Sequence, residues 1–267
     1  MRLSVIIPCF NDGHFLDEAV ESVLNYIEQP VEIIIVNDGS TDPFTLTILE
    51  RLKGETVKVL SHKNHGLAYS RNRGISEATG KYILPLDADN KIKADYIRKA
   101  LLLLDSDICD IVYAQPFFFG DNIPERKFKT HKFDGLALLK YNYIDACAIY
   151  RKTVWEKTGG YDEKMPFQGN EDWELWLHSF IAGFKFGFID EELFGYRITS
   201  NSMIANVSKE QTEKNINYML IKHKDFILDQ INDGLCYRQF YQNDQQNYLR
   251  TSLKYLTLFF RNISTLK

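Results

Sequence analysis

Short runs rich in Val and Ile recur between amphipathic segments through residue 113, and no other feature restricts the fold as much. The apolar runs are residues 3–8, 31–36, 57–60, 82–86 and 108–113, and the first two have the composition of strands buried on both faces. Between those two, Phe15, Leu16, Ala19, Val20, Val23 and Leu24 share one helical face, and residues 94–104 carry a similar stripe. Asp42 followed by Pro43 reads as an N-cap with Pro at the first helical position. Gly80 stands where a C-terminal cap would end a helix that starts near Leu67. Strand–helix–strand connections are right-handed, so such alternation implies a mostly parallel sheet whose ligand site lies beyond the carboxyl ends of its strands. The expected class is α/β, a Rossmann-like central sheet flanked by helices.

The second half is less regular. It holds a Phe-rich stretch at 117–119, a helical pattern around 134–141, a helix expected over 171–182 ending at Gly183, and a strand at 184–189. After residue 207 the chain reads as polar, helical and strand-free. A length of 267 residues accommodates one such domain with an appendage, which divides the chain into 1–207 and a helical extension 208–267. Residues 208–267 carry nine Lys or Arg against six Asp or Glu, a charge of +3, while the remainder carries 23 against 30, or −7. The overall charge of −4 argues against nucleic acid as a partner. Four scattered cysteines without a CxxC pair, and an initial apolar run too short for a signal peptide, point to a reduced, cytoplasmic protein.

The chemistry-bearing residues gather where strands end. Asp87 and Asp89 follow the run at 82–86 directly; they suit Mg²⁺ or Mn²⁺ held by one or two carboxylates plus substrate phosphates, and equally suit a cap for the next helix. Asp38, before Gly39, can accept from a ribose hydroxyl or a base N–H, or serve a loop of turn formers. Phe10, after Pro8, can pack on a base or in the core. Arg71, at the start of the third helix and shortly after Asn64, can donate to phosphate or pair with an acid; Arg73 is its rival. Glu171 and Asp172 open a helix, where a carboxylate can act as base or simply favour the helix dipole. Trp173 and Trp176 are core residues or a sugar platform. Arg197 holds a diphosphate, orders a loop or forms a surface pair.

With SVIIPCFN, VNDGSTD, GLAYSRNRGI, LPLDADN and GGYDEKMPFQGNEDWEL in this order, residues 1–205 resemble family 2 of the inverting glycosyltransferases, which have the GT-A fold. The resemblance implies that Pro8, Phe10, Asp38 and Arg71, with Asn64 nearby, embrace a nucleotide, usually uridine. It makes Asp87 and Asp89 a DXD motif, Asp89 binding Mn²⁺ or Mg²⁺ and Asp87 lying near the ribose and donor sugar. Asp172 matches the catalytic base and Glu171 a supporting carboxylate. One departure stands out: many relatives carry a histidine soon after the Tyr-Arg pair, whereas residues 196–203 here contain none. The implied donor is a nucleotide-diphosphate sugar, and the acceptor a saccharide or lipid-linked saccharide of surface polysaccharide or glycolipid assembly. A non-catalytic nucleotide-sugar-binding domain of the same fold and a nucleotidyltransferase are the alternatives.

Outside the resemblance, Leu249, Leu253, Leu256, Phe260 and Ile263 form an apolar stripe beside Arg250, Lys254 and Arg261. Packing on the catalytic domain, self-association and contact with the inner face of a membrane are its three competing uses.

Overall fold

The computed structural model describes residues 2–121, 128–199 and 208–246. Its strands are β1 (Leu3–Cys9), β2 (Val31–Asp38), β3 (Val57–His62), β4 (Tyr82–Pro85), β5 (Lys91–Ile92), β6 (Ile111–Gly120), β7 (Ile149–Arg151) and β8 (Phe186–Ile198). The helices are α1 (Gly13–Leu24), α2 (Pro43–Leu52), α3 (Leu67–Glu77), α4 (Ala94–Asp105), α5 (Gly135–Leu138), α6 (Lys152–Thr158), α7 (Glu171–Ile181), α8 (Lys209–Lys222) and α9 (Lys224–Gln246). Among the described residues the strands form one sheet in the order β3-β2-β1-β4-β7-β6-β8-β5. The β1–β2, β2–β3, β1–β4 and β6–β8 pairs are parallel, and the three pairs made by β7 and β5 are antiparallel.

Strand parity explains why helices cover both faces. Val5, Ile7, Ile33 and Ile35 join the cluster that buries Leu16, Ala19 and Val23 of α1, Ile48 and Leu49 of α2, and Tyr96, Ile97 and Leu101 of α4. The alternate residues Ile6 and Val36 meet α3 at Gly74. Asp42 caps α2 as its sequence predicts, accepting from Thr45 N at 2.8 Å with Pro43 at the first position. Gly183, with φ +83°, follows α7.

Three expectations are corrected and one choice is decided. Gly80 is not the cap of α3, which ends at Ala78; a Cβ at Gly80 would lie 2.6 Å from Ser4 N, so its glycine serves close backbone approach. The helix expected over 134–141 shortens to the single turn of α5, where Leu138 is buried but Leu136 stays 56% exposed. The expected strands at 108–113 and 184–189 extend to Gly120 and Ile198, because Phe117–Phe119 pair with Gly195–Arg197. Trp173 and Trp176 are core, with indole N–H groups on Leu138 O at 2.7 Å and Ile144 O at 3.1 Å.

The chain divides into two compact units, Met1–Tyr218 and Met219–Lys267. No helix among the described residues is long and apolar enough to cross a membrane. The stripe at 249–263 and the residues after Thr199 that lack a histidine lie outside the described residues.

Candidate active site

The alternation of β4 continues past its last strand residue and decides which side chains face the crevice. Leu86 and Ala88 turn into the core, so Asp87 and Asp89 turn out of it, and Asn90 N closes the turn on Asp87 O at 3.0 Å. Arg71 of α3 reaches this turn from one side. It is 1% exposed, with Nη2 donating to Asp87 Oδ1 and Nη1 to Glu171 Oε1, each at 2.6 Å, and its guanidinium lies 5.3 Å from the Tyr161 ring. One guanidinium therefore joins the end of β4 to the first turn of α7. Both terminal nitrogens are engaged by protein carboxylates, so Arg71 organises the site instead of offering a free fork to phosphate.

Glu171 accepts a second bond from Gly169 N at 2.8 Å, which fixes its carboxylate. Its half-buried neighbour Asp172 accepts from Asn142 Nδ2 at 2.9 Å and from Trp173 N at 2.8 Å. Burial first, and the Glu171 charge second, hold the Asp172 carboxyl well above the usual range. A base whose affinity for a proton is raised this way is suited to taking one from a hydroxyl.

Asp89 is pushed up to about 7, by burial and then by Asp87 and Asp12. The crowding of oxygen-only, like-charged groups fits a hard divalent cation such as Mg²⁺ or Mn²⁺, which keeps waters and takes phosphate oxygens. Among the described residues no group of three or more His, Cys, Asp or Glu that could hold a metal ion is present. Arg197 braces the same turn: its Nε donates to Asp89 O at 2.7 Å, its backbone N donates to Asn90 Oδ1 at 2.9 Å, and its terminal nitrogen pairs with Glu18. Phe15 and Phe119 lie 4.6 and 4.3 Å from its guanidinium.

The remaining predicted residues line the carboxyl ends of β1 and β2. Asp38 is 5% exposed and its two oxygens accept from His65 N at 2.7 Å and Gly66 N at 2.9 Å, so the carboxylate shapes the loop that enters α3. Asn64 meets that loop from the other side: a Cβ on Gly39 would stand 2.6 Å from Asn64 N. Pro8 is buried at the end of β1, and Phe10 beyond it is 45% exposed. The structure brings Arg71, Asp87, Glu171 and Asp172 together, sets Asp89 and Arg197 beside them, and leaves Asp38, Asn64, Pro8 and Phe10 on the adjoining rim.

Sequence reasoning missed Asp12, Asn142 and Asp145. Asp12 starts α1 and is raised by burial and by Asp87. Asn142 carries no signal of its own and stands out only through its contact with Asp172. Asp145 was visible as one acidic residue within the apolar stretch 143–150, and it is pushed up to about 8 by burial and then by Asp87.

The sequence model of glycosyl transferase family 2 matches residues 4–189. An uncharacterized glycosyltransferase of Haemophilus influenzae is 28% identical over 278 residues, covering 95% of this chain and 84% of that one. The putative teichuronic acid biosynthesis glycosyltransferase TuaG of Bacillus subtilis is 31% identical over 212 residues, covering 76% and 82%. The chain spans only 33% of an uncharacterized glycosyltransferase of Rickettsia conorii, to which it is 30% identical over 206 residues. Among solved structures, S. aureus TarS 1–349 in complex with UDP-GlcNAc superposes with a TM-score of 0.67 at 18% identity, over 83% of this chain and 67% of that one. The architecture shared with TarS is the GT-A fold.

Proposed function

The chain belongs to glycosyl transferase family 2, and from that premise we propose that it moves a sugar from a nucleotide-diphosphate donor, a UDP-sugar, to an acceptor hydroxyl with inversion. The observation that carries this reading is the Arg71 link, which holds the turn bearing Asp87 and Asp89 against the helix start bearing Glu171 and Asp172. Asp172 takes the proton of the attacking hydroxyl while the diphosphate leaves from the opposite face. Glu171 keeps the charge balance that raises Asp172, and Asn142 fixes its direction. Bound at Asp89, Mg²⁺ or Mn²⁺ would neutralise charge developing on the diphosphate. Asp38, Asn64, Pro8 and Phe10 form the rim that receives the nucleoside. The relationship to TuaG and the TarS complexes with UDP and UDP-GlcNAc support a UDP-sugar donor and a role in surface polysaccharide assembly.

Calorimetric titration of the wild type and of Asp89→Ala with UDP and UTP, with and without Mn²⁺, tests the donor site. Metal-dependent UDP binding that disappears in the variant is expected. Absence of nucleotide binding under every condition would sink the reading, and binding of a nucleoside triphosphate in preference to UDP would favour nucleotidyl transfer.

A further inference from the structure

The start of α3 and the loop before α7 are drawn together by Gly66 and Gln168. Gly66 has φ +92°, and a Cβ there would stand 2.6 Å from Gln168 Nε2. Leu67 N donates to Gln168 Oε1 at 3.3 Å. Beside this bridge lies an open cleft with about 320 Å³ of empty space, its mouth included, at the lower end of the range of about 300–1,000 Å³ for small-molecule sites. His65 and Tyr69 line it on the α3 side, Asp162, Glu163 and Phe167 on the loop side, and Glu171 from the start of α7. Both walls are braced by the protein itself. The Tyr69 ring lies 4.6 Å from that of His65 and 5.0 Å from that of His62, and Asp38 holds the backbone of His65 and Gly66. Opposite, Asn72 Nδ2 donates to Glu163 Oε1 at 2.7 Å, the Tyr218 hydroxyl donates to Asp162 Oδ2 at 3.0 Å, and the Asn215 amide exchanges two bonds with the Phe167 backbone. No Lys or Arg lines the cleft, and Lys214, 5.8 Å from the Phe167 ring, pairs with Glu210. An anion therefore finds no partner in it. A cation is served little better, because Arg71 already pairs with Glu171 while Asn72 and Tyr218 engage the other two acids. A pyranose matches the lining: its C–H face packs on ring faces, and its hydroxyls donate to carboxylate lone pairs.

Resting on the glycosyl-transfer reading, we propose that this cleft is an acceptor subsite for a neutral saccharide, and that it holds the ring next to the one whose hydroxyl attacks. Neither Asp87 nor Asp89 lines it, so it is not the donor site. Asp172 does not line it either, whereas Glu171 does, which sets the reacting ring outside the cleft and its neighbour within. An acceptor of two or more sugars then gains contacts that a single sugar lacks.

The test titrates the full chain, with UDP and Mn²⁺ present, with N,N′-diacetylchitobiose, cellobiose and lactose, with their monosaccharides, and with a disaccharide containing a uronic acid, read by saturation-transfer NMR. At least one neutral disaccharide should bind more tightly than its monosaccharide and than the acidic disaccharide. Tyr69→Ala and Phe167→Ala, one on each wall, should each weaken that disaccharide by about three- to tenfold, with UDP affinity unchanged, and Tyr69→Phe, which keeps the ring, should restore it. The proposal is overturned if no disaccharide outbinds its monosaccharide, if the acidic one binds best, if both alanine variants bind as the wild type does, or if spermidine displaces the disaccharide. A loss of UDP affinity and thermal midpoint together with saccharide binding in both alanine variants overturns it too, since that marks a structural role. Absence of UDP binding in the wild type fails the transfer reading instead, and disaccharide binding that Tyr69→Ala abolishes would still support a saccharide site at the cleft.

Discussion

Arg71 stands at the centre of the site because two carboxylates from distant parts of the chain share its guanidinium at 1% exposure. Replacing it by Met keeps the volume and strands both acids; breaking a buried pair in this way costs about 3–5 kcal/mol. Urea denaturation should register that loss, with Arg71→Lys intermediate because an ammonium keeps the charge and lacks the fork. Asp172 gives the opposite sign. Its folded pKa lies above its unfolded value, so its stabilising contribution is full below the ordinary carboxylate range and is lost as pH rises through the folded value. Asp172→Asn removes that loss. Its thermal midpoint should therefore drop less than the wild type's between about pH 4 and about pH 7, while transfer falls by about 10²–10⁴-fold with UDP binding kept. Glu171→Gln removes the charge that raises Asp172, so the acid limb of the transfer rate should move to lower pH. An unshifted limb would show that another group titrates. The residues that sequence reasoning found here sit in motifs; Asn142 and Asp145 escaped because only the folded chain brings them to Asp172 and Asp87.

α3 carries Arg71, and its distance from the sheet is fixed by Gly74, where a Cβ would stand 2.5 Å from Ile6 Cγ2 and 2.9 Å from Val36 Cγ2. Gly74→Ala should cost about 1–3 kcal/mol by overpacking and should also depress donor binding, since a shifted α3 draws Arg71 away from Asp87. Equilibrium denaturation alongside UDP titration separates the two effects. Unchanged stability would mean that the sheet yields to the extra methyl without cost. The elements of this half were legible because each βα unit writes its own signal: buried Val and Ile at β1 and β2, a capped Pro43 at α2, a stripe at α4. The other half was not. β7 is three residues long, β5 two, and β6 owes its last residues to pairing with β8, a partner remote in sequence. No local period encodes such pairing. Gly80 misled for a related reason, since its cause is Ser4 on another strand.

At the scale of the whole molecule, the question is how much chain the site needs. All the residues assigned to it lie in the unit Met1–Tyr218, whose boundary falls inside α8 and not before it. A fully buried Asn215 ties α8 to the site: its side-chain amide accepts from Phe167 N at 3.0 Å and donates to Phe167 O at 2.9 Å and Asn170 Oδ1 at 3.0 Å. Those bonds hold the loop that delivers Glu171 and Asp172, and Tyr218 adds a bond to Asp162 at 3.0 Å. Further along the chain, α9 exposes Leu228, Ile231 and Leu235. Two truncations follow from this geometry. A chain ending after residue 222 keeps α8 and every residue assigned to the site, and should bind UDP within about threefold of the full chain, with transfer preserved. A chain ending after residue 207, where the composition changes, loses Asn215 and its hydrogen bonds to Phe167 and Asn170, at about 0.5–1.5 kcal/mol each. Its UDP affinity should survive better than its transfer rate, since the rim residues on β1 and β2 are untouched while the base is loosened. Equal activity in the two truncated chains would show that the loop before α7 is held without α8.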